Sequence, residues 1–263
     1  HLAFAGAAIV WLVWFRLCRP RTHQMLQFSF ARALLEHWGV SVHDIPISDA
    51  DEKKEADFFA KFEDINVLIE EKTKGDDPDY LAARAMELEQ GAIHAATLPL
   101  IRNETLSGIV RDASKQLRSS SNLPHDFRLM WFTATGVHAK GKYEQFIATL
   151  YGLTNISEMN SDGHRRCYYF RNADFFRRAA VIDGAIASYT EGKSIKAKLC
   201  LNALSPRYHA LRKSAVVCPF GEAVEDPIEL ETSGCAFILD CDLARNEEGP
   251  LLAYLQAKYK TAP

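Results

Sequence analysis

Two rhythms of apolar and polar positions alternate along the first half of the chain. Over residues 25–38 the apolar side chains Leu26, Phe28, Phe30, Ala31, Leu34, Leu35 and Trp38 fall near a helical period, and Gly39 supplies a stop. Residues 40–47 then alternate Val40, Val42, Ile45 and Ile47 with polar neighbours, which predicts a strand leading into a charged loop. Residues 56–63 and 66–73 are rich in Phe, Val, Ile and Leu and stand only a few polar residues apart, the signature of a β-hairpin. Asp77-Pro78 offers a cap followed by proline at the first helical position, opening a helix to about residue 90. A further helix over 104–118 shows Leu106, Ile109, Val110, Ala113 and Leu117 on one stripe, and residues 127–133 read as a buried strand.

Residues 135–142 are the best linker candidate. Beyond them the pattern predicts a helix at 143–151, short strands near 167–170, 179–186, 195–201, 214–219 and 236–240, and a last helix at 251–259. The organisation expected is an apolar N-terminal segment over 1–24, a core over 25–135, and a mixed α+β region over 136–263 that packs with the core or beside it.

Composition narrows this picture. At 263 residues with 48% hydrophobic and 25% charged content, the chain has the make-up of a folded globular protein. Its net charge of −3 argues against holding nucleic acid by bulk basicity, yet the charge is segregated: +3 over residues 1–43, −9 over 44–101, +9 over 102–213 and −6 over 214–263. Either the blocks are solvated faces or the basic one meets a polyanion. Six cysteines without a C-x-x-C pair, several in apolar runs, predict buried free thiols in a reducing, cytoplasmic compartment. Residues 2–15 carry no charge and are followed by Arg16, Arg19 and Arg21, the layout of a membrane segment with a cytoplasmic flank. Fourteen residues are short for a span, so a truncated anchor, a buried apolar helix and an irrelevant extension all remain open.

The chemistry concentrates in the hairpin. Glu70 and Lys72, two apart on a strand, share a face with Leu68. Opposed residues of an antiparallel hairpin have a constant sum of numbers. Pairing 62 with 65 gives 127 and sets Asp57 opposite Glu70, whereas pairing 63 with 66 gives 129 and sets it opposite Lys72. Both put two acids and a lysine on one side, leaving Phe58, Ala60, Phe62, Val67 and Ile69 for packing. Neighbouring carboxylates repel unless a cation lies between them, and oxygen ligands of this type suit Mg²⁺ or Mn²⁺. Glu-x-Lys alone is weak, since it recurs at Glu52-Lys53-Lys54 and Glu191-Gly192-Lys193; the second of these reads as a turn.

In its context of upstream helix, acid on the adjacent strand and apolar run into the Glu, the segment over about residues 26–134 resembles the PD-(D/E)XK nuclease superfamily, with its restriction-endonuclease-like fold. The resemblance implies an α/β protein with an αβββαβ core, here followed by the α+β extension. It implies that Asp57 and Glu70 hold Mg²⁺ or Mn²⁺, that Lys72 completes the catalytic set, and that Glu36 on the first helix is a candidate additional acid. Ala56 stands where proline is usual in that motif. It further implies a metal-dependent nuclease acting on nucleic acid, DNA rather than RNA, in a restriction, defence or repair setting. Arg111, Lys115, Gln116 and Arg118, on the helix after the hairpin, would lie near substrate. Arg165 and Arg166, interleaved with Tyr168, Tyr169 and Phe170, could grip a phosphate backbone, or simply stand outside core aromatics. The alternative is a non-catalytic nucleic-acid-binding or interaction protein with the same core, tethered to a membrane through residues 2–15.

Overall fold

The computed structural model describes residues 10–11, 29–45, 55–94, 99–157, 163–243 and 246–260. Helix α1 (Phe30–His37) starts at Ser29, whose hydroxyl accepts from the Arg32 amide as an N-cap. It leads to β2 (Ser41–Asp44), after a two-residue strand β1 (Val10–Trp11). Strands β3 (Phe58–Phe62) and β4 (Ile65–Lys74) form the expected hairpin, and α2 (Pro78–Glu89) starts at the predicted Asp77 cap. Then come α3 (Glu104–Ser119), capped by Asn103, β5 (Phe127–Ala134), and α4 (Ala139–Tyr151), which ends at the left-handed Gly152. The second half supplies β6 (Thr154–Ser157), β7 (His164–Tyr169), α5 (Asp174–Arg177), β8 (Gly184–Glu191), β9 (Ser194–Leu201) and α6 (Tyr208–Arg212). It closes with β10 (Val224–Glu225), α7 (Pro227–Thr232), β11 (Ala236–Leu239) and α8 (Glu248–Tyr259).

The chain is mixed α/β. Its main sheet runs β1-β9-β8-β5-β4-β3-β2, with β10 also on β9, and a smaller sheet runs β11-β7-β6. β2, β3 and β4 form an antiparallel meander; β4, β5 and β8 are parallel, which the helical crossovers through α3 and α4 permit. Strands β8 and β9, from beyond the predicted linker, thus extend the sheet begun before it.

Alternation along the central strands feeds two cores. Val67, Ile69, Leu129 and Trp131 face one way, against Ala31, Leu34 and Leu35 of α1. Leu68, Met130 and Phe132 face the other way, against Leu106, Val110, Ala113 and Leu117 of α3 and Phe146 and Leu150 of α4. Fully burying one such side chain stabilises by about 1.5–3 kcal/mol, so these stripes, rather than helix propensity, hold α1 and α3 to the sheet.

Several sequence expectations need correction. Residues 214–219 are not a strand: Ala215–Phe220 form a 3₁₀ turn, because Pro219 removes a ladder donor. The strand expected at 179–186 begins only at Gly184, the preceding residues making turns back to Phe176 and Arg178. Cys167 and Cys200 are buried as expected, but Cys218 and Cys235 are exposed. The turn read at Glu191-Gly192, in contrast, is present: Glu191 pairs with Ser194 across a two-residue loop in which Gly192 has φ +59°. The proposed apolar anchor lies outside the described residues except for Val10–Trp11, which pair antiparallel to Ser194 and Ile195 of β9. Among the described residues no helix is long and apolar enough to cross a membrane.

Candidate active site

The hairpin loop is Glu63-Asp64, with Phe62 paired to Ile65. Glu63 adopts φ +53°, the left-handed step such tight loops require. The register sum is therefore 127, and Asp57 falls opposite Glu70; its amide donates to the Ile69 carbonyl at 3.1 Å. Asp57 is exposed, and its Oδ2 accepts from the Glu71 amide at 2.7 Å, which fixes the carboxylate against β4.

Glu70 is fully buried beneath this corner. Its Oε1 accepts from Lys72 Nζ, while Oε2 has no hydrogen-bond partner. Burial first, and the Asp57 carboxylate second, push Glu70 up to about 8, against the opposing pull of Lys72. Lys72 Nζ also donates to Gln116 Oε1 at 2.8 Å, and Gln116 Nε2 donates to the Glu55 carbonyl at 3.2 Å. One turn on, Ser120 Oγ accepts from the Ala56 amide at 2.9 Å. The last turns of α3 thus clamp both the lysine and the backbone that delivers Asp57. A cleft of about 490 Å³ lined by Lys72, Asp112, Lys115, Gln116 and Ser119 opens beside them.

The middle residue of Glu70-Glu71-Lys72 faces the opposite side. Glu71 accepts from Ser29 Oγ and from the Ala31 amide at 3.0 Å, so its carboxylate sits on the N-terminus of α1, where backbone donors lack helical partners. Burial raises Glu71 above the ordinary carboxylate range, while the Ser29 and Ala31 donors oppose the shift.

The structure thus brings Asp57, Glu70, Lys72 and Gln116 together with Lys115 lining the cleft beside them, and leaves Glu36, Arg165 and Arg166 elsewhere. Glu36 is exposed in the last turn of α1, a helix packed on the sheet's other face. Among the described residues no three His, Cys, Asp or Glu side chains converge as a metal-binding group. The fit to Mg²⁺ therefore rests on the carboxylate pair, which suffices in kind: this ion is commonly held by one or two carboxylates, water and substrate phosphate. The unpartnered Glu70 Oε2 and the mutual repulsion of the pair are what a bound cation would relieve.

Arg111, Lys115 and Arg118 are exposed on α3, with Arg111 and Lys115 on either side of Asp112 at 3.6 and 3.1 Å. The guanidinium of Arg165 lies over the Phe237 ring at 5.0 Å, and Arg166 is ion-paired to Glu225. Tyr168, Tyr169, Phe170 and Phe175 are buried, so these aromatics are core rather than a base-stacking platform.

Sequence reasoning assigned Gln116 to substrate and gave no role to Glu71. Nothing local relates Gln116 to Lys72, 44 positions away. The strand's alternation, in contrast, already sends residue 71 to the face of α1. No family model matches the chain, and neither a curated protein nor a solved structure matches it; the assignment rests on the residues themselves.

Proposed function

We propose that the chain is a metal-dependent nuclease of restriction-endonuclease-like fold that hydrolyses phosphodiester bonds, DNA being the preferred substrate. The observation that carries this reading is the pairing of Asp57 with a buried Glu70 whose Oε2 has no partner, beside a lysine held by Gln116. Asp57 and Glu70 would hold Mg²⁺ or Mn²⁺. When bound, such an ion acidifies water and offsets charge on a phosphate. Lys72, positioned by Gln116, would orient the attacking water and stabilise the negative charge growing on the phosphate oxygens. Lys115, lining the cleft, and the exposed Arg111 and Arg118 supply the cationic surface that bare carboxylates cannot offer a polyanion.

A second reading is favoured by the Lys72–Glu70 contact, which gives the buried carboxyl a partner within the protein. On that reading the hairpin is structural and the protein binds nucleic acid without cleaving it. End-labelled single- and double-stranded DNA incubated with Mg²⁺, Mn²⁺ or chelator distinguishes the two. Divalent-dependent cleavage that is lost in both Lys72→Ala and Asp57→Asn, each still folded by its thermal melt, is the expected result. Cleavage surviving both substitutions would sink the assignment.

A further inference from the structure

A second site lies where the two sheets meet, away from the hairpin. Glu225 of β10, on the main sheet, is only 2% exposed. Its Oε1 accepts from Arg166 of β7 and from Tyr168 Oη at 2.5 Å, and its Oε2 accepts from Lys198 Nζ of β9 at 2.7 Å. The two cations hold the carboxylate below its ordinary range in spite of its burial. One buried anion thus faces two cations, and both cations reach further out: the Arg166 and Lys198 side chains are 47% and 25% exposed.

Both line a cavity of about 310 Å³. Its walls combine the ring of Tyr143 and the apolar Ile147 and Leu153 with Asn155 and one carboxylate, Glu144. Cavities that enclose small ligands run from about 300 to 1,000 Å³ and pair apolar walls with a few placed polar groups. Here the cations suit a phosphate, with a guanidinium fork and an ammonium able to share the oxygens. Glu144 suits a hydroxyl or amino donor, and Tyr143, whose ring also meets Tyr189 at a centroid distance of 4.9 Å, adds aromatic surface to the wall.

We propose that the cavity walled by α4, β6, β7 and β9 binds a nucleoside monophosphate, its phosphate on Arg166 and Lys198 and its base and sugar against Tyr143, Ile147 and Glu144. The site joins strands of both sheets, so the bound nucleotide fastens the small sheet to the large one. It is independent of the hairpin and of any nuclease activity.

Calorimetric titration of the full chain with AMP, ribose 5-phosphate, inorganic phosphate and adenosine tests this. AMP is expected to bind with a Kd below about 1 mM, and each of the three fragments at least about tenfold more weakly. Lys198→Ala should weaken AMP binding at least about tenfold, and Lys198→Arg should largely restore it. Leu153→Trp keeps both cations and fills the cavity, so it should abolish binding in a protein whose melt remains cooperative. No binding of AMP at millimolar concentration overturns the proposal. So does inorganic phosphate, ribose 5-phosphate or adenosine binding as tightly as AMP, or AMP affinity unmoved by Leu153→Trp.

Discussion

Replacing Glu70 by Gln should stabilise the protein in mild alkali and weaken it slightly in acid. The folded chain pushes Glu70 from an ordinary 4.5 up to about 8, through burial and then the Asp57 carboxylate. Between those values the folded state keeps a proton that the unfolded state has released, so stability falls as pH rises through the window. At about 1.36 kcal/mol per pH unit the cost is under about 1 kcal/mol near pH 5 and about 4 kcal/mol near pH 8. Gln cannot ionise and escapes this cost, and its Oε1 can still accept from Lys72, but its amide nitrogen replaces the buried, unpartnered Oε2 as an unsatisfied donor, at a cost of about 1–3 kcal/mol. The expected balance is a gain of about 1–3 kcal/mol near pH 8 that becomes a loss of about 1 kcal/mol near pH 5. Urea denaturation of both proteins at the two pH values reads the difference directly, since every other titrating group is shared. A gap between variant and wild type that stays constant with pH would refute the reasoning. Mg²⁺ adds a second arm: it should stabilise the wild type near pH 8 and leave Glu70→Gln unmoved.

Three further outcomes can be checked. Glu63→Gly relieves a left-handed backbone at an exposed turn and should raise stability by about 1 kcal/mol, read as a higher urea midpoint with an unchanged slope. Gly152→Ala should cost more than about 2 kcal/mol, because a Cβ there would lie 2.8 Å from the Tyr169 carbonyl at φ +63°; a thermal melt within error of wild type would contradict this. If α3 tracks a phosphate backbone, the double substitution Lys115→Ala/Arg118→Ala should flatten the salt dependence of DNA binding in Ca²⁺ by about one log–log unit per lost contact, and a slope equal to wild type would remove α3 from the interface.

Much of the hairpin was legible because parity is a local property. Once a two-residue loop is granted, Asp57, Glu70 and Lys72 must share a face, and only the choice between sums of 127 and 129 was left to the turn. The cap at Asp77-Pro78 and the stripe of α3 were legible for the same reason, since each depends on residues a few positions apart. Burial of Glu70 was not legible, because it arises from α3 lying across β4, with Gln116 and Ser120 reaching Lys72 and Ala56, 44 and 64 positions away. The fate of Arg166 was equally hidden: its partner Glu225 lies 59 positions on, in a two-residue strand with no periodicity to announce it. The bond from Ser205 Oγ to the buried Asp183 at 2.6 Å was hidden in the same way, a contact built by tertiary packing alone.

The bond from the Glu71 amide to Asp57 gives the site an intrinsic reporter. That proton sits on the residue whose side chain anchors α1 and is held by the exposed carboxylate expected to meet a metal. A cation drawing on Asp57 competes for the same oxygens, so the amide's resonance position and its hydrogen-exchange rate would register occupancy with no label and no substrate. Movement at the N-terminus of α1 would reach the same proton from the other side, through one peptide unit. A single backbone resonance, followed in an isotope-enriched sample, would thus separate events in the cleft from events in the helix behind it.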